Sequence, residues 1–364
     1  MNQEIKIKLN RIEQLIKKHD LDGLLLADRA NISWLTAGKD THIELIEKTG
    51  SAELIILPGV GNFILTDNIE EPRLKNEELL GEDFNFLTKE WYRDSDKLKE
   101  FISDYSLGAD IYYPETQYIP DKIASLRFEL TENEKTRLRK LGKQSSKLIT
   151  GICRENIAKN QTENQVAGLV AGEFLAAGIN PAVILIGSDD RIYNYRHPIP
   201  TDKKINKYVM VVVCAEKHGF IVSLTRKVHF GPLPRELQEK MQAVRKIELA
   251  FWEKTRPGNK IKEIFKSGMQ AYTELGYENE WEKHHQGGPA GYKTRDFLAT
   301  PKTTAEVKNN QVFAWNPSIT GVKTEDTILV TDNEIEIITE DPDWPLTRVE
   351  YNNSSIPRPE ILIK

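Results

Sequence analysis

Apolar residues at Ile5, Leu9, Ile12, Leu15 and Ile16 recur at helical spacing, with lysines on the opposite face, and predict an amphipathic helix over 5–19. The stretch 20–23 breaks that pattern, and 24–28 reads as a buried strand. Residues 31–38 read as a short helical turn closed by Gly38. Strands over 51–58 and 62–66, split by Gly59 and Gly61, precede a helix over 95–105 and a strand over 109–113. Strands alternating with helices predict a small α/β domain. Thr131 and Glu134 have the spacing of a capping box and open a long helix to about Cys153, so the domain boundary is placed just before it.

A second helix opens at 161–165 and closes at Gly178, and a strand follows over 181–186. The polar loop 189–200 holds Arg196 and His197. Next comes the most pronounced β pattern of the chain. Residues 209–215 are β-branched and apolar, 216–219 are polar with a turn glycine, and 220–226 run back, which predicts a hairpin. Helices over 234–254 and 261–275 and strands over 312–315, 327–331 and 334–338 close the fold. The tail after Asp341, rich in Pro and Asn, is expected to lie along the surface. The expected class is α/β (α+β), with an N-terminal domain over 1–130 and a second domain over 131–364.

With 364 residues, two domains are the natural division. Hydrophobic residues at 39% and charged residues at 29% describe a globular chain. The net charge of -5 and the lack of a basic stripe exclude nucleic acid as an implied partner. Apolar runs are too short to span a bilayer, and the N-terminus lacks the apolar core of a signal peptide. Two cysteines, Cys153 and Cys214, make no disulfide framework and point to a cytoplasmic protein with reduced thiols.

Five segments in order carry a family resemblance. RHPIPTDKK (196–204), GFIVSLTR (219–226), HQGG (285–288), FAWNPSI (313–319) and GVKTEDTILVT (321–331), followed by Glu336, resemble the motifs of the pita-bread family of creatinase, prolidase, aminopeptidase P and methionine aminopeptidase. The first 130 residues resemble the N-terminal domain of its creatinase/prolidase branch. The resemblance implies a C-terminal pita-bread domain with a curved antiparallel sheet flanked by helices, a hydrolase, and a homodimer. The family's peptidases hold two metal ions with two Asp, one His and two Glu. Carried over, these positions fall on Val212, Ser223, His285, Asn316 and Glu336. Three of the five ligands are then missing, so the expectation is no metal and no cofactor, because a pair of hard ions needs bridging carboxylates, with a lone weakly held ion as the less favoured alternative. Creatinase works without a metal, using a histidine at the position of His197. Other branches only bind, as in histone chaperones.

The site expected from these residues has His197 as general acid/base, since imidazole titrates near neutrality, although a lone loop histidine is often only a surface residue. His285 and Glu336 complete the catalytic group, and Glu336 has the alternative of an exposed strand residue. Substrate contacts are expected from Asn316, Ser223, Arg226, His284, Tyr292, Arg295 and Glu325. Adjacent strand residues point to opposite faces, so only one of His284 and His285 is expected in the pocket. Tyr292 reads equally as core packing, Arg226 as paired with a nearby acid, and Glu325 with Asp326 as structural support. Cys214 shares the face of Val212 and reads as inert packing or, less favoured, a nucleophile. Creatinase's cation-binding glutamate has no counterpart in 223–226, and the pocket looks basic. The reading is a metal-independent hydrolase of a C–N bond in a small amide, amidine or dipeptide-like substrate with a carboxylate. The alternatives are a metal-dependent Xaa-Pro peptidase and a non-catalytic binding protein.

Overall fold

The structure, a computed structural model, describes residues 2–93, 96–332, 334–352 and 354–364. It divides into two compact units, Met1–Glu134 and Lys135–Lys364. In the first unit the helix Gln3–Lys18 starts at Asn2, whose side chain accepts from the Glu4 N–H. Its apolar stripe, Ile5 to Ile16, is buried. A six-stranded sheet follows in the order Asn85–Lys89, Gly61–Asp67, Thr49–Leu57, Gly23–Asp28, Leu107–Ala109, Gln117–Tyr118. The strand expected over 109–113 forms only over Leu107–Ala109. Beyond it the Asp110 carboxylate, rather than backbone, accepts from the Ala27 and Asp28 N–H groups at 2.8 and 3.1 Å. The helix expected over 95–105 spans Lys97–Ile102, and Ser95 lies outside the described residues.

The capping box forms as predicted. Thr131 Oγ1 accepts from the Glu134 N–H, and Glu134 Oε2 accepts from the Thr131 N–H. The helix Glu132–Gly151 follows and ends in a π turn over Ile152–Asn156. Thr162 and Gln165 form a second reciprocal box at the start of Glu163–Ala176.

The second unit is built around the hairpin Tyr208–Lys217 and Phe220–His229. Lys217 pairs with Phe220, so the loop is the two residues His218 and Gly219, both at positive φ (54° and 76°). That is the turn whose twist matches a right-handed strand pair, and it fixes the register of every side chain along the hairpin. Asn180–Ser188 pairs on one side and Leu362–Ile363 on the other, giving a four-stranded sheet. A second sheet runs Gly287–Ala290, Gln311–Trp315, Asp326–Val330, Ile335–Ile337. The two are stitched by the Thr225 N–H to the Glu325 carbonyl (3.0 Å) and the Ser223 N–H to Thr327 Oγ1 (2.7 Å). Gly287, at φ 95°, passes so close that a Cβ there would lie 2.1 Å from the Ala314 carbonyl oxygen, which is why this strand begins with glycine. Helices Arg235–Lys254 and Ile261–Glu274 bury Val244, Ile247, Phe251, Ile264 and Phe265 with Trp315 and Ile328 in one core.

The tail does not lie along the surface. Leu346–Tyr351 and Ser354–Pro359 form an antiparallel ribbon, with Asn353 outside the described residues. Trp344 is buried. Arg358, also buried, donates to Glu248 and Asp326 at 2.6 Å each and lies 4.3 Å from the Trp252 ring. The high Pro and Asn content hid one long cationic side chain that two buried carboxylates require. Arg358→Ala leaves those acids without their common partner. It should lower the unfolding free energy of this unit by about 3–5 kcal/mol in urea titrations.

Candidate active site

The hairpin and the second sheet enclose a pocket of about 450 Å³. One wall is apolar, from Val183, Leu185, Phe297 and Leu298. The strand period puts Val212 and Cys214 on the pocket face, and the register sets Thr225 opposite Val212 and Ser223 opposite Cys214. Cys214 Sγ lies 3.3 Å from Ser223 Oγ. Burial raises the Cys214 thiol above its ordinary range, so it stays protonated and packs rather than attacks.

Glu325 is the centre of the polar side and is 3% exposed. Its Oε1 accepts from Arg295 Nη2 at 2.9 Å. Its Oε2 accepts from Lys323 Nζ at 2.9 Å and from Thr225 Oγ1 at 2.8 Å. Burial pushes this carboxyl up, but Lys323 and Arg295 outweigh it and hold it at about 2. Arg295 Nη1 also reaches Ser223 Oγ at 3.3 Å. Asn316 lines the same pocket and is buried, and its Oδ1 has no hydrogen-bond partner.

Three imidazoles meet beside this cluster. His197 and His285 line the pocket, and His284 lines a small adjoining cavity with Ser318 and Lys323. His284 Nε2 is 3.0 Å from His197 Nε2, and its Nδ1 is 3.3 Å from Ser318 Oγ. The rings of His284 and His285 lie 4.6 Å apart. Burial first, then Lys323, lowers His197 and takes His284 to about 2. Burial, Arg295 and Lys323 take His285 to about 4. All three are therefore neutral at pH 7. Of the adjacent pair only His285 lines the main pocket, yet His284 still meets His197 from behind. His284 is extended (φ −155°, ψ 140°) but lies before the first strand residue, Gly287, so no ladder holds the two rings to opposite faces.

Three expected residues lie elsewhere. Glu336 sits on the edge strand Ile335–Ile337 and forms a forked ion pair with Arg139, whose Nε and Nη2 donate at 2.7–3.0 Å. The pocket carboxylate is Glu325 instead. Arg226 points away from the pocket and is buried, donating to Asp326 at 3.0 Å and to the Thr339 carbonyl at 2.8 Å. Tyr292 is buried against Phe220 with ring centroids 4.3 Å apart, which is packing. Lys323 was missed by the sequence reading. A basic residue two positions before Glu325 shares its face in an extended chain, and that spacing was the available signal.

These protonation states make a pH prediction. A histidine held neutral in the folded chain takes up a proton on unfolding once pH falls below its ordinary value near 6.5. Stability is then present above that pH and lost as pH falls toward the folded value. His284, neutral down to about 2, should add a slope of up to about 1.4 kcal/mol per pH unit between pH 6 and 4. Denaturant titrations across that range should show a shallower slope for His284→Gln.

Residues 136–332 match the description of metallopeptidase family M24, and residues 8–113 that of the creatinase/prolidase N-terminal domain. An uncharacterized peptidase of Staphylococcus epidermidis is 23% identical, covering 92% of this chain and 99% of its own. The prolidase of Pyrococcus horikoshii superposes with a TM-score of 0.76 at 20% identity, over 92% of this chain and 98% of its own. The Xaa-Pro dipeptidase of Bacillus anthracis does so at 0.75 and 15%, over 99% and 100%. At such identities the superpositions establish the shared fold. No helix among the described residues is long and apolar enough to cross a membrane. With more than half of its length matched, the chain belongs to metallopeptidase family M24, a hydrolase family, and carries the creatinase/prolidase domain ahead of it.

Proposed function

We propose that this pocket hydrolyses a C–N bond in a small dipeptide-like or amide substrate bearing a carboxylate, and that it does so without a carboxylate-bridged metal pair. The observation that carries this reading is Glu325, the one carboxylate among the described pocket residues, with its two oxygens accepting from Arg295, Lys323 and Thr225. A paired hard-ion centre needs several free carboxylate oxygens. Val212 offers no donor atom, Asn316 offers an amide, and Ser223 is tied to Cys214 and Arg295. These residues do not fit the family's metal pair.

The same residues suit an anionic substrate. Lys323 and Arg295 against Glu325 leave one net positive charge, and Arg295 Nε has no partner. A substrate carboxylate completes that balance, and the wall of Leu185 and Phe297 accepts an apolar side chain. His197 is the general acid/base. When Ser318 Oγ accepts from His284 Nδ1–H, the His284 Nε2 lone pair accepts from His197 Nε2–H, and His197 keeps its own lone pair at Nδ1. It takes a proton there from the attacking water and returns it to the leaving nitrogen, so that the C–N bond is replaced by a carboxylate and an amine. The imidazolium formed on the way is held by the neutral His284. Asn316 orients the scissile group, with His285 beside it.

Protein purified without added metal and dialysed against chelator should cleave dipeptides with a free C-terminal carboxylate. His197→Gln should lower kcat about 10²–10⁴-fold, and amidation of the substrate's C-terminus should raise KM. Two tightly held ions per chain, with Xaa-Pro cleavage abolished by chelator, would establish instead the metal-dependent dipeptidase that the names of the structural relatives suggest.

A further inference from the structure

The three histidines have a second chemical capacity. One ring nitrogen from each of His197, His284 and His285 lies within 4.8 Å of the other two. Imidazoles bonded to one transition-metal ion at about 2.0–2.1 Å put neighbouring nitrogens about 2.9–3.4 Å apart, whether the ion is octahedral or tetrahedral. The 3.0 Å between His197 Nε2 and His284 Nε2 is such an edge. His284 Nδ1 meets Ser318 Oγ, the kind of outer contact that fixes a ligating histidine's tautomer with its other nitrogen bare. His285 Nδ1 is a buried nitrogen with no partner. All three rings are neutral near pH 7, the form that ligates.

We propose that His197, His284 and His285 form a binding site for a single imidazole-preferring divalent ion of the zinc, nickel or copper class. The groups around them set the selectivity. Lys323 and Arg295 outweigh Glu325 by one charge, and Glu325 has no oxygen free of them. Hard ions such as manganese, which depend on anionic oxygens, gain nothing here, whereas late transition metals bind neutral nitrogen well. This donor set differs from the family's pair and shares with it only the position of His285. Metal on Nε2 of His197 and His284 removes the hydrogen bond between them, so an occupied site stops the hydrolysis proposed above. That consequence rests on the reading of His197 as the base; the binding itself does not.

Isothermal titration of the metal-stripped full chain tests the site with zinc chloride and manganese chloride as probes. The expected result is one zinc ion per chain at micromolar affinity or tighter, with manganese at least roughly tenfold weaker. His284→Gln and His285→Gln should each weaken zinc at least roughly tenfold while leaving the thermal melt intact. Cobalt(II) on the unaltered chain should develop ligand-field absorption that zinc abolishes, a readout independent of how the variants fold. Equal affinity for manganese, two ions per chain, or zinc binding that survives both substitutions overturns the site. Full hydrolytic activity in the zinc-loaded chain leaves the site standing and overturns the role of His197.

Discussion

The charge cluster at Glu325 decides what the second unit does with its pocket. A carboxylate that is 3% exposed must have its lone pairs satisfied, and here two cations and a hydroxyl satisfy them. Every other feature of the polar side follows from that arrangement. Burial first, then Lys323 and, for His285, Arg295, keep the imidazoles of His197, His284 and His285 neutral. Neutral imidazoles share protons with one another instead of pairing with acids, and His197 and His284 do so at 3.0 Å. Cys214, on the same face, is left as a thiol.

Strand alternation connects this front face to the buried core behind it. Thr225 and Arg226 are neighbours on the hairpin, Asp326 opens the facing strand, and Glu325 immediately precedes it. Thr225 donates to Glu325 on the pocket side, while Arg226 donates to Asp326 on the other. Asp326 in turn accepts from Arg358, which also holds Glu248. Two adjacent acids therefore serve two unconnected tasks, one in the pocket and one in the core. A one-residue slip of register would exchange them, leaving Asp326 in the pocket and Glu325 under the ribbon of Leu346–Tyr351 and Ser354–Pro359. The pairing of Asp326–Val330 with Gln311–Trp315, Trp315 opposite Asp326, is what holds that register.

Local signals in the sequence were read well because their causes are local. The capping box at Thr131, the hairpin and its turn glycine each depend on residues within a few positions of one another. His197, His285, Asn316 and Glu325, all from the ordered motifs, line one pocket, and Arg295 lines it with them. The errors came where function depends on which face a residue takes. Arg226 is one residue away from the pocket face, Tyr292 turns into packing, and Glu336 spends its charge on Arg139, 197 positions earlier in the chain. No periodicity announces a partner that distant. The His197–His284 contact was missed because the two residues lie 87 positions apart, whereas Lys323 had a local signal in its spacing from Glu325. The tail was misread because composition describes an average, whereas one arginine in it serves two acids of the core.

On the metal-independent reading proposed above, the basic character of this pocket has a consequence of its own. A site of clustered carboxylates attracts cations and repels a substrate's carboxylate until a metal reverses the sign. Here Lys323 and Arg295 supply the positive charge from the chain itself, and they are covalently fixed where an ion would have to be recruited. Their field is not tied to a water-derived hydroxide as a metal's would be, so an attacking water needs a base from elsewhere. On the reading proposed above, with Glu325 held as an anion by its partners and Cys214 held as a thiol, that base is an imidazole. The Lys323 charge that favours an anionic substrate thus adds to the burial that keeps His197 unprotonated and ready to accept a proton.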